Sequence, residues 1–418
     1  MADRITVVGW DGTPLTEAAS AALASATLVA GAPYQLAALP VPEGAERIAL
    51  GSVQLAARRI AEHRGTAVVV AEGDPGFFGV VRTLRRPEHG LELEVLPAVS
   101  SVAAAFARAG MPWEDAQVVS THGGRLRRAA NVCRAHPKVA VLTSPDAGPS
   151  ELALMLRGVH RTFVVCEALG TPDEDVTVLT SERVPDQVWR EPAVVLVIGG
   201  PGQTQVDEAA GWLAGRPVGF PGTERGWALP AEAYAGAERG AQVAAGAGHA
   251  LPPHVRALAV AKIGPVPGDL VWVVGAGTGA LAVETARFGA AVVAVEADRS
   301  ACAQIAVNAR RYGVEVDAVH GVGPEVLGGL PEPDAVVVES GGAETVRAVL
   351  ARRPERLVAV AHTLAEAEAV REAVTSAGYR VEGALLQSTP LTVNPAAGTG
   401  LSLGAGEQSM VFWGEQAG

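Results

Sequence analysis

Gly275, Gly277 and Gly279 lie in the stretch VVGAGTGALAVETA, directly after a β-branched apolar run and at the mouth of an Ala-rich helical pattern. Glycines suit this place because the chain must turn sharply and let a ligand approach backbone N–H groups that a helix start leaves unpaired. Glu296 closes the next apolar run, and a carboxylate there can accept both hydroxyls of a bound ribose. Loop, helix, strand and terminal acid together describe a site for an adenosine-containing cofactor, with Ala276 and Thr278 completing the turn. GAGTGA fits both the GxGxG of methyltransferases and the GxGxxG/A of dinucleotide enzymes. A hydride-transferring enzyme would also need an acid/base set, and the sequence offers none.

Three stretches of the first half carry similar promise: AEGDPGFFG, PAVSSVAAAFARAG and VVSTHGG. A Gly73-Asp74-Pro75 turn at the carboxyl end of a strand gives a fixed loop with a carboxylate and open backbone groups, suited to the polar end of a ligand. Arg125, Arg127 and Arg128 follow STHGG, and Arg256 and Lys262 precede the second-half glycine loop; guanidinium forks suit a ligand with many carboxylates. For any one of these cations a solvated helix face is the simpler reading. His122 reads as a hydrogen-bonded structural histidine rather than a proton shuttle.

The elements that must position these residues follow a βα rhythm. In the first half, 5–8, 67–71, 139–142, 162–166 and 193–198 read as buried strands, because each is a short apolar run bounded by turn residues. Stretches 16–26, 53–63 and 101–109 read as helices, with Thr16 capping the first and Gly110 ending the last. The pattern restarts at Trp113 and Glu114, which predicts two lobes, 1–112 and 113–200. Residues 201–249 are crowded with Gly, Ala and Pro, show no sustained period and read as a linker. From 250 to 418 a helix over 254–263 and strands over 270–274, 291–296, 316–320, 335–338 and 357–360 predict a doubly wound, Rossmann-like sheet.

Composition narrows the class. A chain of 418 residues calls for more than one core. Hydrophobic residues reach 49% with only 4% aromatic, so the interior is Ala, Val and Leu, as in helices on parallel sheets; the fold class is α/β. A formal charge of -12 argues against a nucleic-acid partner. Cys133, Cys166 and Cys302 lie far apart, without the spacing of a disulfide framework or a zinc site, which fits the cytoplasm. No export signal, membrane span or metal site is read from the sequence. Ala-rich helices at domain edges permit a homo-oligomer without specifying a contact.

Taken in order, the first-half motifs resemble those of the tetrapyrrole methylase family, which runs GDPxFxG, then PxxSS, then SxHG. The second half resembles the carbon-15 methyltransferase and decarboxylase of corrin biosynthesis, in WVVGAGTGALAVE, AVVAVEADRSACAQIAVNARRYGV and LPEPDAVVVESGG. The fused pair resembles the decarboxylating C5,15 methyltransferases that act on a precorrin. This resemblance implies S-adenosylmethionine as cofactor and a precorrin tetrapyrrole as substrate. It also implies methylation at carbons 5 and 15 with decarboxylation of the ring C acetate, in cobalamin biosynthesis. By the same resemblance, Gly9, Gly73, Asp74, Pro75, Ser100 and Ser101 shape one cofactor site, and Gly275, Ala276, Gly277, Thr278, Gly279 and Glu296 the other. Arg125, Arg127 and Arg256 are the substrate candidates.

The resemblance also marks departures. The loop after Gly9 is the short WDGTPL where the family's is longer, Val273 stands where the family has an acid, Leu251 and Pro252 replace its Thr-Lys, and Val322 replaces a small residue. Two readings of the second half follow: a cofactor site weakened by the missing carboxylate, or a diverged module that only holds the tetrapyrrole.

Overall fold

Runs of Val, Ala and Ile fold as buried parallel strands because helices can cover them on both faces. The structure, a computed structural model, describes residues 5–51, 53–190, 193–199, 213–215, 225–234, 251–393, 401–404 and 406–416. In the first lobe, β1 (Ile5–Trp10), β2 (Leu28–Gly31), β3 (Glu46–Ala49), β4 (Ala67–Glu72) and β5 (Leu93–Leu96) form an all-parallel sheet in the order β3-β2-β4-β1-β5. Helices α1 (Glu17–Ala24) and α2 (Pro33–Ala38) cover one face. Helices α3 (Val53–Glu62) and α4 (Val80–Leu84) cover the other. Thr16 caps α1 through its side chain, as its type and place predict.

The second lobe contains α5 (Ser101–Ala109), β6 (Gln117–Ser120), α6 (Leu126–Ala135), β7 (Lys138–Leu142), α7 (Pro149–Met155), β8 (Thr162–Glu167), β9 (Asp175–Thr180) and β10 (Ala193–Ile198). Its sheet runs β6-β7-β10-β8-β9, with β6 parallel to β7 and the other pairs antiparallel. Gly110 ends α5 in the left-handed conformation. That helix packs Val102, Ala105 and Phe106 on Ala140, Val164 and Leu196 of the second sheet. The chain therefore crosses between lobes ahead of α5, earlier than the restart at Trp113 predicts.

The second unit is α8 (Pro253–Ile263), β11 (Leu270–Val274), α9 (Ala280–Ala286), β12 (Ala291–Glu296), α10 (Arg299–Arg311), β13 (Asp317–His320), β14 (Ala335–Val338), α11 (Gly342–Leu350), β15 (Arg356–Ala361), α12 (Leu364–Ser376), β16 (Tyr379–Ser388), β17 (Leu391–Val393), β18 (Leu401–Leu403) and β19 (Glu407–Gln416). Its sheet runs β13-β12-β11-β14-β15-β19-β16, parallel from β13 to β15, with β19 antiparallel to both neighbours. Helices α8, α9 and α10 bury one face, and α11 and α12 the other. Much of the expected linker lies outside the described residues. Residues 225–234 are not linker in character: Leu229, Ala233 and Tyr234 join the core under α8, α9 and α10.

The second lobe docks on the amino ends of this sheet. From α6, Arg127 pairs with Asp334 ahead of β14, and Asn131 donates to the Gly268 carbonyl ahead of β11 at 3.0 Å. Arg161, at the start of β8, pairs with Glu315 ahead of β13. His136 caps α6 in the same contact, its ring facing Gly289, and burial pushes its pKa down from 6.5 to about 4. A depressed histidine leaves stability intact above the unfolded value and loses it as the unfolded chain alone takes up the proton. Between pH 6.5 and 4 this loss should reach about 3 kcal/mol. His136→Phe should flatten that part of a stability-versus-pH curve from urea unfolding; an unchanged slope would remove His136 as its source.

Candidate functional site

The glycine loop of the second unit sits at the carboxyl end of β11, where open α/β sheets bind ligands. Gly275 has φ +74°, and a Cβ there would lie 2.0 Å from Ser340 Oγ, so only glycine fits between the loop and the end of β14. Ala276 is buried in the core beneath, and Asn308 of α10 donates to the Thr278 carbonyl at 2.8 Å, fixing the turn. Gly279 opens α9 as its N-cap. The structure brings Glu296 to this loop: its carboxylate accepts from Gly277 N at 2.7 Å and from Asp298 N at 2.8 Å. Thr278 Oγ1 is buried without a hydrogen-bond partner. The donor set, the close backbone and an anchored acid fit an adenosine-containing ligand such as S-adenosylmethionine.

Val273 is fully buried in the core beneath α8 and α9, and Val322 is 52% exposed. Leu251 is buried and Pro252 is the N-cap of α8. Glu339, which no sequence pattern singled out, follows β14 directly; it is 3% exposed, and its Oε1 has no hydrogen-bond partner. Burial raises its carboxyl to about 8, with Arg256 opposing the rise and Glu296 and Glu284 adding to it.

Arg256 is not placed to meet a substrate. It is 0% exposed; its guanidinium donates to Glu284 at 3.2 Å and to the carbonyls of Leu251 and Leu229, and it lies over the Tyr234 ring. Tyr234 donates to the same Glu284 oxygen at 2.7 Å. Sequence spacing missed this because Leu229 and Tyr234 come from the stretch that reads as linker. Lys262 lies 4.0 Å over the Trp413 ring.

In the first unit the structure brings two of the three motifs, GDPGFFG and PAVSS, together with Gly9 of β1, whereas Gly123 and Gly124 of VVSTHGG meet nothing there. A Cβ on Gly9 would meet the Gly73 carbonyl at 2.3 Å, Ala98 N at 2.7 Å and Pro75 at 2.9 Å, so β1, the GDP turn and the PAVSS loop meet at one point. Gly73 packs against Val99, Ser100 and Ser101; Asp74 accepts from Gly76 N at 2.8 Å, and Ser100 caps α5 through Ala103 N at 3.1 Å. Asp11, not foreseen, joins them: it accepts from Thr13 and from Val99 N at 3.3 Å. Burial raises its pKa, and the bonds from Thr13 and Val99 more than offset that, leaving it below the usual value. Gly12 abuts the Gly170 carbonyl, so this loop touches the second lobe across the cleft. Phe78 of GDPGFFG stands 52% exposed with φ 52°, a backbone conformation rare for an aromatic residue.

His122 shares a hydrogen bond with Ser120 at 2.9 Å. Arg125 is exposed at the start of α6, whereas Arg127 and Arg128 turn to Asp334 and Asp269 of the second unit. The arginine cluster read from sequence is thus mostly an inter-unit contact. Among the described residues no helix is long and apolar enough to cross a membrane.

Two different methyltransferase units are therefore joined in one chain. A family model described as Tetrapyrrole (Corrin/Porphyrin) Methylases matches residues 11–185, and one described as Precorrin methyltransferase domain matches residues 248–400. The chain is 31% identical over 305 residues to the precorrin-6Y C(5,15)-methyltransferase (decarboxylating) of a Sinorhizobium species, covering 68% of this chain and 65% of that protein. It is 30% identical over 345 residues to the protein of the same name from Mycobacterium tuberculosis, covering 80% of this chain and 79% of the relative. It is also similar to the cobalt-precorrin-7 C(5)-methyltransferase of Salmonella typhimurium, 35% identical over 170 residues, covering 39% of this chain and 82% of that protein. The chain belongs to the precorrin-6Y C(5,15)-methyltransferase (decarboxylating) family.

Proposed function

We propose that this chain methylates carbons 5 and 15 of a precorrin ring and removes carbon dioxide from the ring C acetate, using S-adenosylmethionine at two sites, as a cytoplasmic step of cobalamin biosynthesis. The observation that carries this reading is the presence, in one chain, of two dissimilar units, each with a backbone cradle at the carboxyl ends of its strands. S-adenosylmethionine supplies an electrophilic methyl group when bound. Gly9, Gly73, Asp74, Pro75, Ser100 and Ser101, with Asp11, form the first cradle. Gly275, Ala276, Gly277, Thr278, Gly279 and Glu296 form the second. Of the substrate candidates Arg125, Arg127 and Arg256, Arg125 is the most exposed and is the one offered to the carboxylates of the ring.

A reduced tetrapyrrole is itself a carbon nucleophile, so alignment does most of the work and no strong general base is demanded of the chain. The ring, once protonated, serves as its own electron sink for loss of carbon dioxide. A second unit that only holds the ring is the weaker reading, because its glycine loop and acid are intact and placed together.

Calorimetric titration of the full chain should find two S-adenosylmethionine molecules per chain. Gly275→Val should remove one of them, since the added side chain collides with Ser340, and Gly9→Val the other. Mass spectrometry should show a product two methyl groups heavier and one carbon dioxide lighter. No mass change with any corrin intermediate would overturn the assignment, and one methyl without loss of carbon dioxide would restrict it to the first unit.

A further inference from the structure

We propose that Glu339 is the receptor for the ammonium group of the second unit's cofactor, standing in for the acid that Val273 lacks. This rests on the second unit binding S-adenosylmethionine. Val273 pairs in register with Val337 of β14, and Glu339 lies two residues further along, on the same face of the sheet as both valines. A carboxylate lost from β11 is thereby replaced by one from the neighbouring strand's end. Ser340, the next residue, already touches Gly275 of the glycine loop.

The charge balance points to a cation. Glu284, Glu296 and Glu339 are buried at 0%, 7% and 3% exposure, and the guanidinium that acts on Glu339 is that of Arg256, itself committed to Glu284 and two carbonyls. Glu296 is held by two backbone N–H groups. Glu339 Oε1 is buried with no donor. A buried carboxyl oxygen without a donor is unfavourable, and one bound ammonium supplies both the missing donor and the charge that favours the ionised form.

The groups facing Glu339 are Arg256 from α8, Glu284 from α9 and Glu296 from β12; burial and the two carboxylates, against Arg256, keep much of its carboxyl protonated at neutral pH. Ammonium binding favours the ionised form, so it should expel roughly one proton per chain near pH 7. That release belongs to the second binding event only.

The test is calorimetry on the full chain, with the first unit's binding event as internal control and with Gly275→Val identifying the second. Glu339→Gln should weaken S-adenosylmethionine and S-adenosylhomocysteine at the second site by on the order of 10- to 100-fold. It should leave 5′-methylthioadenosine, which lacks the ammonium, unchanged, and should abolish the proton release seen on repeating the titration in buffers of different ionisation enthalpy. Glu339→Met should give the same pattern. Since Glu339 is largely protonated without cofactor, a neutral side chain in its place should not lower the unfolding midpoint of the cofactor-free protein. Equal weakening of all three ligands would show that Glu339 only shapes the pocket, and weakening of S-adenosylmethionine alone would assign it to the sulfonium; either overturns the proposal. A wild-type chain with a single binding event, lost in Gly9→Val and kept in Gly275→Val, would instead overturn the two-site reading.

Discussion

Arg256→Ala is expected to destabilise the second unit by about 3–5 kcal/mol, because it strands Glu284 as an uncompensated buried charge. The carbonyls of Leu251 and Leu229 lose their donor at the same time. Tyr234 keeps its proton, its pKa pushed upward by burial and by Glu284, but one hydroxyl cannot satisfy a carboxylate. Urea unfolding followed by near-ultraviolet circular dichroism should show the loss. The double replacement Arg256→Met with Glu284→Met should recover much of it, since removing both partners leaves no unpaired charge. A double variant as damaged as Arg256→Ala would mean that lost packing, rather than the stranded carboxylate, sets the cost.

Arg161→Ala should uncouple the two units. Its guanidinium donates to the Cys133, Arg134 and His160 carbonyls and pairs with Glu315 across the contact, with 4% and 15% of the two side chains exposed. Burial raises the Glu315 carboxyl above its ordinary value and Arg161 opposes that rise. Removing Arg161 therefore leaves a buried acid facing the second lobe, at a cost of about 3 kcal/mol. Scanning calorimetry should split one melting transition into two, and Glu315→Gln should split it less, because the amide oxygen can still accept and Arg161 keeps its three carbonyl acceptors. Superimposable melting curves for wild type and Arg161→Ala would show that the remaining contacts suffice.

Both networks were invisible in the sequence for the same reason: their partners come from segments far apart along the chain. Strands such as Ala67–Glu72, Ala193–Ile198 and Leu270–Val274 were legible because burial on both faces makes them continuous apolar runs. Glu46–Ala49 and Asp175–Thr180 were not, since each lies at a sheet edge and alternates or mixes polar residues as a half-exposed strand does. The glycine loop and Glu296 could be read because one βαβ unit contains them. Asp11 and Glu339 depend on which loop the fold sets beside them, and Arg256 could not be told from a surface cation until its carbonyl acceptors were seen.

The second lobe grips the ends of the third sheet at which β11, β13 and β14 begin, while the glycine loop lies where β11 stops. The length of a five-residue strand, about 16 Å, separates the contact from the loop. If each cradle works as proposed, this contact, at the opposite end of β11 from the glycine loop, is not where the half-finished ring is handed on. What the fusion secures is parity: every cell that makes one of the two units makes an equal number of the other.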